Sequence, residues 1–187
     1  MPVTDSEVIA ASLEDGEAFL AIFERHFAPI HRYLRRRLSR DAADDVAADV
    51  FATAFARRGS FDLARAEALP WLFGIATNLL RNRLRIEERE LRMLAEKQVD
   101  LVAAVEEPLG GLLRSSVEPV LAQALLALSP EDRDVLLLFA WGDLGYEEMS
   151  IALGLPIGTI KSRLNRARSR VREALIAGVE TKEASHG

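Results

Sequence analysis

Tyr146-Glu147-Glu148-Met149-Ser150-Ile151-Ala152-Leu153-Gly154-Leu155-Pro156-Ile157-Gly158-Thr159-Ile160-Lys161-Ser162-Arg163-Leu164-Asn165-Arg166-Ala167-Arg168 is the stretch on which the fold turns. A short apolar-periodic segment, Tyr146 to Leu153, meets a turn at Gly154-Leu155-Pro156, and a long helix is expected from about Ile157 to Ile176. Two helices joined by a short glycine-containing turn make a candidate helix-turn-helix. At 100° per residue, Ile160, Leu164, Ala167, Val171 and Leu175 fall within a sector of about 80°, one apolar stripe for packing. Ser162, Asn165, Arg166 and Ser169 point away from it, with Lys161, Arg168 and Arg172 on one flank and Arg163 and Arg170 on the other. Short hydrogen-bonding side chains and one Arg between lateral cations suit a major groove, whose base edges lie between two phosphate walls. A solvated cationic face is the plainer reading. The helix-turn pair that precedes this helix favours a recognition helix.

Upstream, Pro119 to Leu128 reads as a helix, and Ser129-Pro130-Glu131-Asp132 sets a capping hydroxyl, an N1 proline and two acids before the apolar run from Val135. From Gln98 to Glu118 the periodicity fades, and Pro108, Gly110, Gly111, Ser115 and Ser116 have linker composition. Before that, Phe19, Leu20, Phe23, Phe27, Ile30, Leu34 and Leu38 keep helical spacing, with Pro29 as a kink point. Asp41 to Arg58 reads as a second helix ended by Gly59, and a third starts at Pro70 and runs toward Ala95. No segment reads convincingly as a strand. The fold class is all-α.

Composition narrows the function. The 187 residues have no cysteine and three histidines without zinc-site partners, so disulfides, thiolate metal sites and a structural metal are not expected. Val135 to Trp141, the longest apolar run, is too short to cross a bilayer, and the acidic start lacks a secretory n-region, so no membrane insertion and a cytoplasmic location are expected. A net charge of -5 would argue against nucleic acid, but residues 25–40 and 161–172 each carry six bases and no acid. Local potential, rather than net charge, decides where a polyanion binds. No nucleophile, metal cluster or phosphate loop emerges, so neither a cofactor nor an enzymatic activity is expected.

In the third helix, Trp71, Asn78, Asn82 and Arg85 lie within about 60° on the wheel. A ring, two amides and a cation on one face could grip unstacked bases. Core packing of Trp71 is the competing reading.

The order of these features closely resembles the sigma-70 family of bacterial RNA polymerase initiation factors, in its small extracytoplasmic-function (ECF) subgroup. The stretch quoted above looks like the family's fourth-region helix-turn-helix. Asp44-Asp45-Val46-Ala47-Ala48-Asp49-Val50-Phe51 is similar to its second-region helix, and Pro70-Trp71-Leu72-Phe73-Gly74-Ile75-Ala76-Thr77-Asn78 to the promoter-melting helix that follows. The resemblance implies a region 2 helical bundle and a region 4 helix-turn-helix joined by a flexible linker. The expected division is an N-terminal extension (1–16), region 2 (17–97), linker (98–118), region 4 (119–178) and tail (179–187).

What the resemblance implies about partners is specific. The second-region helix would dock a coiled coil of the largest subunit of the polymerase core through Asp44, Asp45 and Asp49, whose alternative role is helix-start electrostatics. Lys161, Ser162, Asn165 and Arg166 would read the minus-35 box of promoter DNA, with Thr159, Arg163 and Arg170 on phosphates. Phe61, Asp62, Arg65, Asn78 and Asn82, with Trp71 and Arg85 beside them, would meet the minus-10 box. In the linker, Asp100, Glu106 and Glu107 would mimic RNA phosphates or simply keep it soluble. An inhibitory anti-sigma protein is a further implied partner. A stand-alone helix-turn-helix regulator is the alternative function.

Three departures from the family pattern stand out. Ala48 sits where many relatives carry Gln. Gly145 stands where Ser often caps the first helix of the helix-turn-helix, and Gly is the weaker cap. Ser150 fills a site often occupied by Ala.

Overall fold

The computed structural model describes residues 3–97 and 119–184. Among them it contains eight α-helices and no strand. The linker expected at 98–118, with Asp100, Glu106 and Glu107, and the last residues of the tail lie outside the described residues. The chain divides into two compact units, the first containing the residues up to Arg83 and the second the bulk of the helices from Pro119 onward.

In the first unit, α1 (Asp5–Ser12) begins where a capping box forms: the Thr4 hydroxyl accepts from the Glu7 amide, and the Glu7 carboxylate accepts from the Thr4 amide. This helix, within the expected N-terminal extension 1–16, packs on the following turn and α2, with Val8 and Ile9 buried. Eight residues with two buried apolar positions give too short a pattern to stand out by periodicity. A 3₁₀ turn (Gly16–Phe19) leads into α2 (Leu20–Arg35), which runs through Pro29. Ser39 then caps α3 (Arg40–Arg57) by accepting from the Ala42 amide.

The end of α3 differs from expectation. Gly59 lies inside a 3₁₀ turn (Arg58–Ser60), and the helix is closed by Arg58, whose guanidinium donates to the Phe55 carbonyl at 2.7 Å and to the Ser12 carbonyl at 3.1 Å. One cation therefore satisfies exposed carbonyls of α1 and α3 together. The next helix, α4 (Leu69–Lys97), starts one residue before Pro70. Ile22, Ile30, Tyr33, Leu34, Val50, Leu72, Phe73 and Leu80 are buried, each contributing about 1.5–3 kcal/mol. Tyr33 meets Phe73 edge to face at 5.3 Å, and its hydroxyl accepts from the buried Arg37 at 2.8 Å.

The second unit contains α5 (Pro119–Leu126), α6 (Pro130–Trp141), α7 (Tyr146–Leu153) and α8 (Ile157–Ala184). The Ser129 hydroxyl caps α6 by accepting from the Asp132 amide, as its sequence signature predicts. Arg133 then donates to the carbonyls of Leu125, Leu126 and Leu128, closing the C-terminal end of α5. Both α5 and α6 pack on α8, whose Ile160, Leu164 and Ala167 are fully buried while Val171 and Leu175 are half-buried. The expected stripe is the packing face. α8 continues to Ala184, beyond the expected Ile176.

Candidate nucleic-acid interface

The turn between α7 and α8 depends on two residues. Gly154 has φ +64°, a left-handed conformation that a side chain would strain. The Ser150 hydroxyl donates to the Leu155 carbonyl at 2.5 Å, and the Leu155 amide donates to the Ser150 carbonyl at 3.2 Å. Ser at this position thus fastens the turn as well as keeping its volume small. At the start of α7 the Glu148 carboxylate accepts from the Gly145 amide at 2.6 Å, which supplies the reciprocal half of a capping box that Gly145 itself cannot complete.

On α8 the expected reading face is exposed at Lys161, Ser162, Asn165, Arg166 and Arg170, and partly exposed at Thr159 and Arg163. The side chains are not equivalent. Ser162 donates its hydroxyl hydrogen to the Thr159 carbonyl, leaving its oxygen to accept from a ligand. Arg166 reaches Asp132 of α6 at 3.4 Å. Lys161 sits over the Tyr146 ring, 5.4 Å from its centroid, and Arg168 over the Phe139 ring at 4.5 Å. Those rings stack with centroids 6.4 Å apart. Lys161 and Arg168 thereby line one wall, the flank expected from the wheel, and Lys161 belongs to that wall more than to the central crest. Aromatic support of two cations is a feature the charge pattern alone did not reveal.

The other expected residues lie on α4 and in the loop that precedes it. Asn78, Asn82 and Arg85 are exposed on α4. Phe61, expected beside them as a nucleic-acid contact, is 6% exposed, and its ring lies 5.2 Å from that of half-buried Trp71. The buried Phe61 ring thus packs against Trp71. Asp62 and Arg65 are exposed but bound to each other at 3.0 Å, and Asp62 also accepts from the Ala64 amide at 3.2 Å.

The acids of α3 also separate. Asp44, Asp45 and Asp49 are all exposed, and Asp44 alone of the three has a described ion pair, with His31 of α2 at 2.6 Å. His31 stacks on Phe27, which continues through Phe23 to Phe51 with centroids 5.0 Å apart in both steps. Leu20 is 59% exposed, Phe55 39% and Phe23 37%, and Phe23 is linked through Phe27 and His31 to Asp44. Phe19, Leu20, Phe23 and Phe27 keep the helical spacing expected of them, yet not all of them are buried. An excess of aromatics over what one helical stripe can bury was the available signal.

A chain whose described residues form helices and no strand, and which presents a cationic helix-turn-helix with a second helical unit carrying its own polar and aromatic face, has the architecture of a DNA-binding transcription factor. Residues 22–90 match the family Sigma-70 region 2, and residues 120–171 the family Sigma-70, region 4. Together these take in about two-thirds of the sequence, and the chain belongs to the sigma-70 family, in its ECF subgroup. It is 28% identical over 130 residues to the ECF RNA polymerase sigma factor SigW of Bacillus subtilis, a match covering 65% of this chain and 69% of that one. Over 58 residues it is 43% identical to the RNA polymerase sigma-E factor of Streptomyces coelicolor, covering 31% of this chain and 33% of that relative's length. The sigma factor RpoE of Bartonella quintana, solved in complex with the anti-sigma factor NepR, superposes with a TM-score of 0.62 at 25% identity, over 84% of this chain and 96% of that one.

Proposed function

We propose that the chain is a transcription initiation factor that binds bacterial RNA polymerase core and directs it to promoters by reading the minus-35 box and opening the minus-10 box. The observation that carries this is the exposed α8 face on a helix-turn-helix, in one chain with a region 2 unit. Asn165 and Arg166 read base edges, with Ser162 as an acceptor; Thr159, Lys161, Arg163 and Arg170 hold phosphates. Asp62, Arg65, Asn78, Asn82 and Arg85, with Trp71, meet the opened strand. Asp45 and Asp49, with the apolar surface at Leu20, Phe23 and Phe55, dock the polymerase coiled coil, and Asp44 is held beside them by His31.

No covalent chemistry is involved: contacts with bases and polymerase offset unstacking, about a few kcal/mol per step. The protein acts in the cytoplasm. No described helix is long and apolar enough to cross a membrane. An anti-sigma protein, such as that bound by the Bartonella quintana relative, is a further partner.

Reconstitution tests this. Purified protein plus bacterial core polymerase is expected to give promoter-specific transcripts, with weak binding of the free protein to duplex DNA because its net charge is -5. Tight duplex binding by the free chain without promoter-specific transcripts would favour a stand-alone helix-turn-helix regulator.

A further inference from the structure

Asp5, the first residue of α1, is buried at 6% exposure and connects three segments. Its carboxylate meets His26 Nε2 at 2.6 Å and accepts from Arg25 at 3.0 Å, both on α2. It also accepts from the Ala68 amide at 2.8 Å, while its own amide donates to the Ala66 carbonyl at 3.1 Å. The Ser6 amide shares that carbonyl at 3.4 Å. Ala66 and Ala68 belong to the loop that precedes α4.

That loop is consequently fastened at both ends. Phe61 is wedged against Trp71 at its start, and Asp5 holds its end. Between them, residues 62–67 are all exposed, and apart from the Ala66 carbonyl, which accepts from α1, their described bonds are local ones centred on Asp62. The first turn of α1 thus sets the loop's exit into α4. Val8 and Ile9 provide α1 with apolar anchorage of its own. The Asp5 bonds to the loop are additional to that anchorage.

We propose that Asp5 is a positioning residue for minus-10 recognition: through Ala66 and Ala68 it fixes the exposed crest at 62–67 in the conformation that receives a base from the opened strand. The inference rests on the assignment of that loop to the minus-10 contact. A crest already ordered binds a fitting base without first losing conformational freedom, and discriminates against bases that do not fit. A loosened crest presents the same groups but adapts to each base, so discrimination falls.

The test uses the full chain as Asp5→Ala, Asp5→Asn and Thr4→Ala, each alone and in holoenzyme. Thr4→Ala weakens the α1 cap while keeping the Asp5 bonds. In the free protein, trypsin cleavage after Arg65 is expected to quicken about tenfold in Asp5→Ala, less in Asp5→Asn, and little in Thr4→Ala. In holoenzyme, Asp5→Ala is expected to lose about fivefold or more in discrimination among minus-10 variants, with minus-35 discrimination and core affinity within about twofold of wild type. Asp5→Asn, which keeps the side-chain shape, recovers part of that discrimination. Unchanged Arg65 cleavage with unchanged minus-10 discrimination in Asp5→Ala overturns the proposal, as does equal loss in Thr4→Ala. A wild-type holoenzyme that fails to initiate overturns the sigma reading itself, and the cleavage rates then still decide whether Asp5 fastens the loop.

Discussion

Arg166 of the reading helix donates to the buried carboxylate of Asp132 on α6, at 3.4 Å, while half of the arginine side chain remains exposed. Asp132 also supplies the amide that Ser129 caps, so the start of α6 and the centre of α8 share one residue. The bond restricts the directions in which the guanidinium can point.

Arg166→Ala is expected to weaken use of a matched promoter by about 1–3 kcal/mol at one base position, whereas Arg170→Ala weakens binding nearly uniformly across sequences. Arg166→Ala also leaves Asp132 short of a partner and should cost about 1 kcal/mol of stability. Adding Asp132→Asn is expected to restore stability without restoring base selection. Urea melts beside promoter-competition transcription check this, and recovery of base selection in the double variant would contradict it.

Asp5 gives a pH dependence with a definite sign. Burial raises its pKa, but the His26 bond, the Ala68 amide, the His26 charge and the Arg25 bond together outweigh burial and lower it from 3.8 to about 2. Its contribution is present above pH 4 and is lost as pH falls toward 2, about 2 kcal/mol in all. Wild type should therefore exceed Asp5→Asn in unfolding free energy at pH 5 and approach it near pH 2. A gap independent of pH would exclude this charge-assisted cluster as the cause.

The same substitution should have opposite effects four residues apart. Gly154→Ala is expected to cost about 1–2 kcal/mol, because φ is +64° and the added Cβ meets nothing within 4 Å, so strain is the whole effect. Gly158→Ala, in α8 and equally uncrowded, should stabilise by about 0.5 kcal/mol. Thermal melts of the two variants suffice.

Ser150→Ala is expected to cost about 1 kcal/mol through loss of its bond to the Leu155 carbonyl. The loosened turn should also reduce minus-35 selectivity more than core binding. Gel-shift competition with holoenzyme measures the first quantity and fluorescence anisotropy with core the second.

The helix-turn-helix was legible because each signal pointed the same way: apolar spacing in α8, a turn at Gly154, and a capped α6 start at Ser129. Asp5 was not, since its partners lie twenty and more residues away and appear only when α1, α2 and the loop fold together. The burial of Phe61 against Trp71 was not legible either, because the same aromatic serves a stacking platform or a core. Charge misled in a comparable way. Of the six arginines in 25–40, Arg37 is buried against Tyr33 and Arg25 is bound to Asp5, so that block is partly structural.

The aromatic rings beneath Lys161 and Arg168 bear on the entropy of recognition. A long cationic side chain that is free in solution surrenders up to about 2 kcal/mol of rotamer freedom when it settles on a phosphate. Resting on Tyr146 and Phe139, these two have given up part of that freedom on folding, before any DNA arrives. One side of α8 is thus pre-ordered for a polyanion.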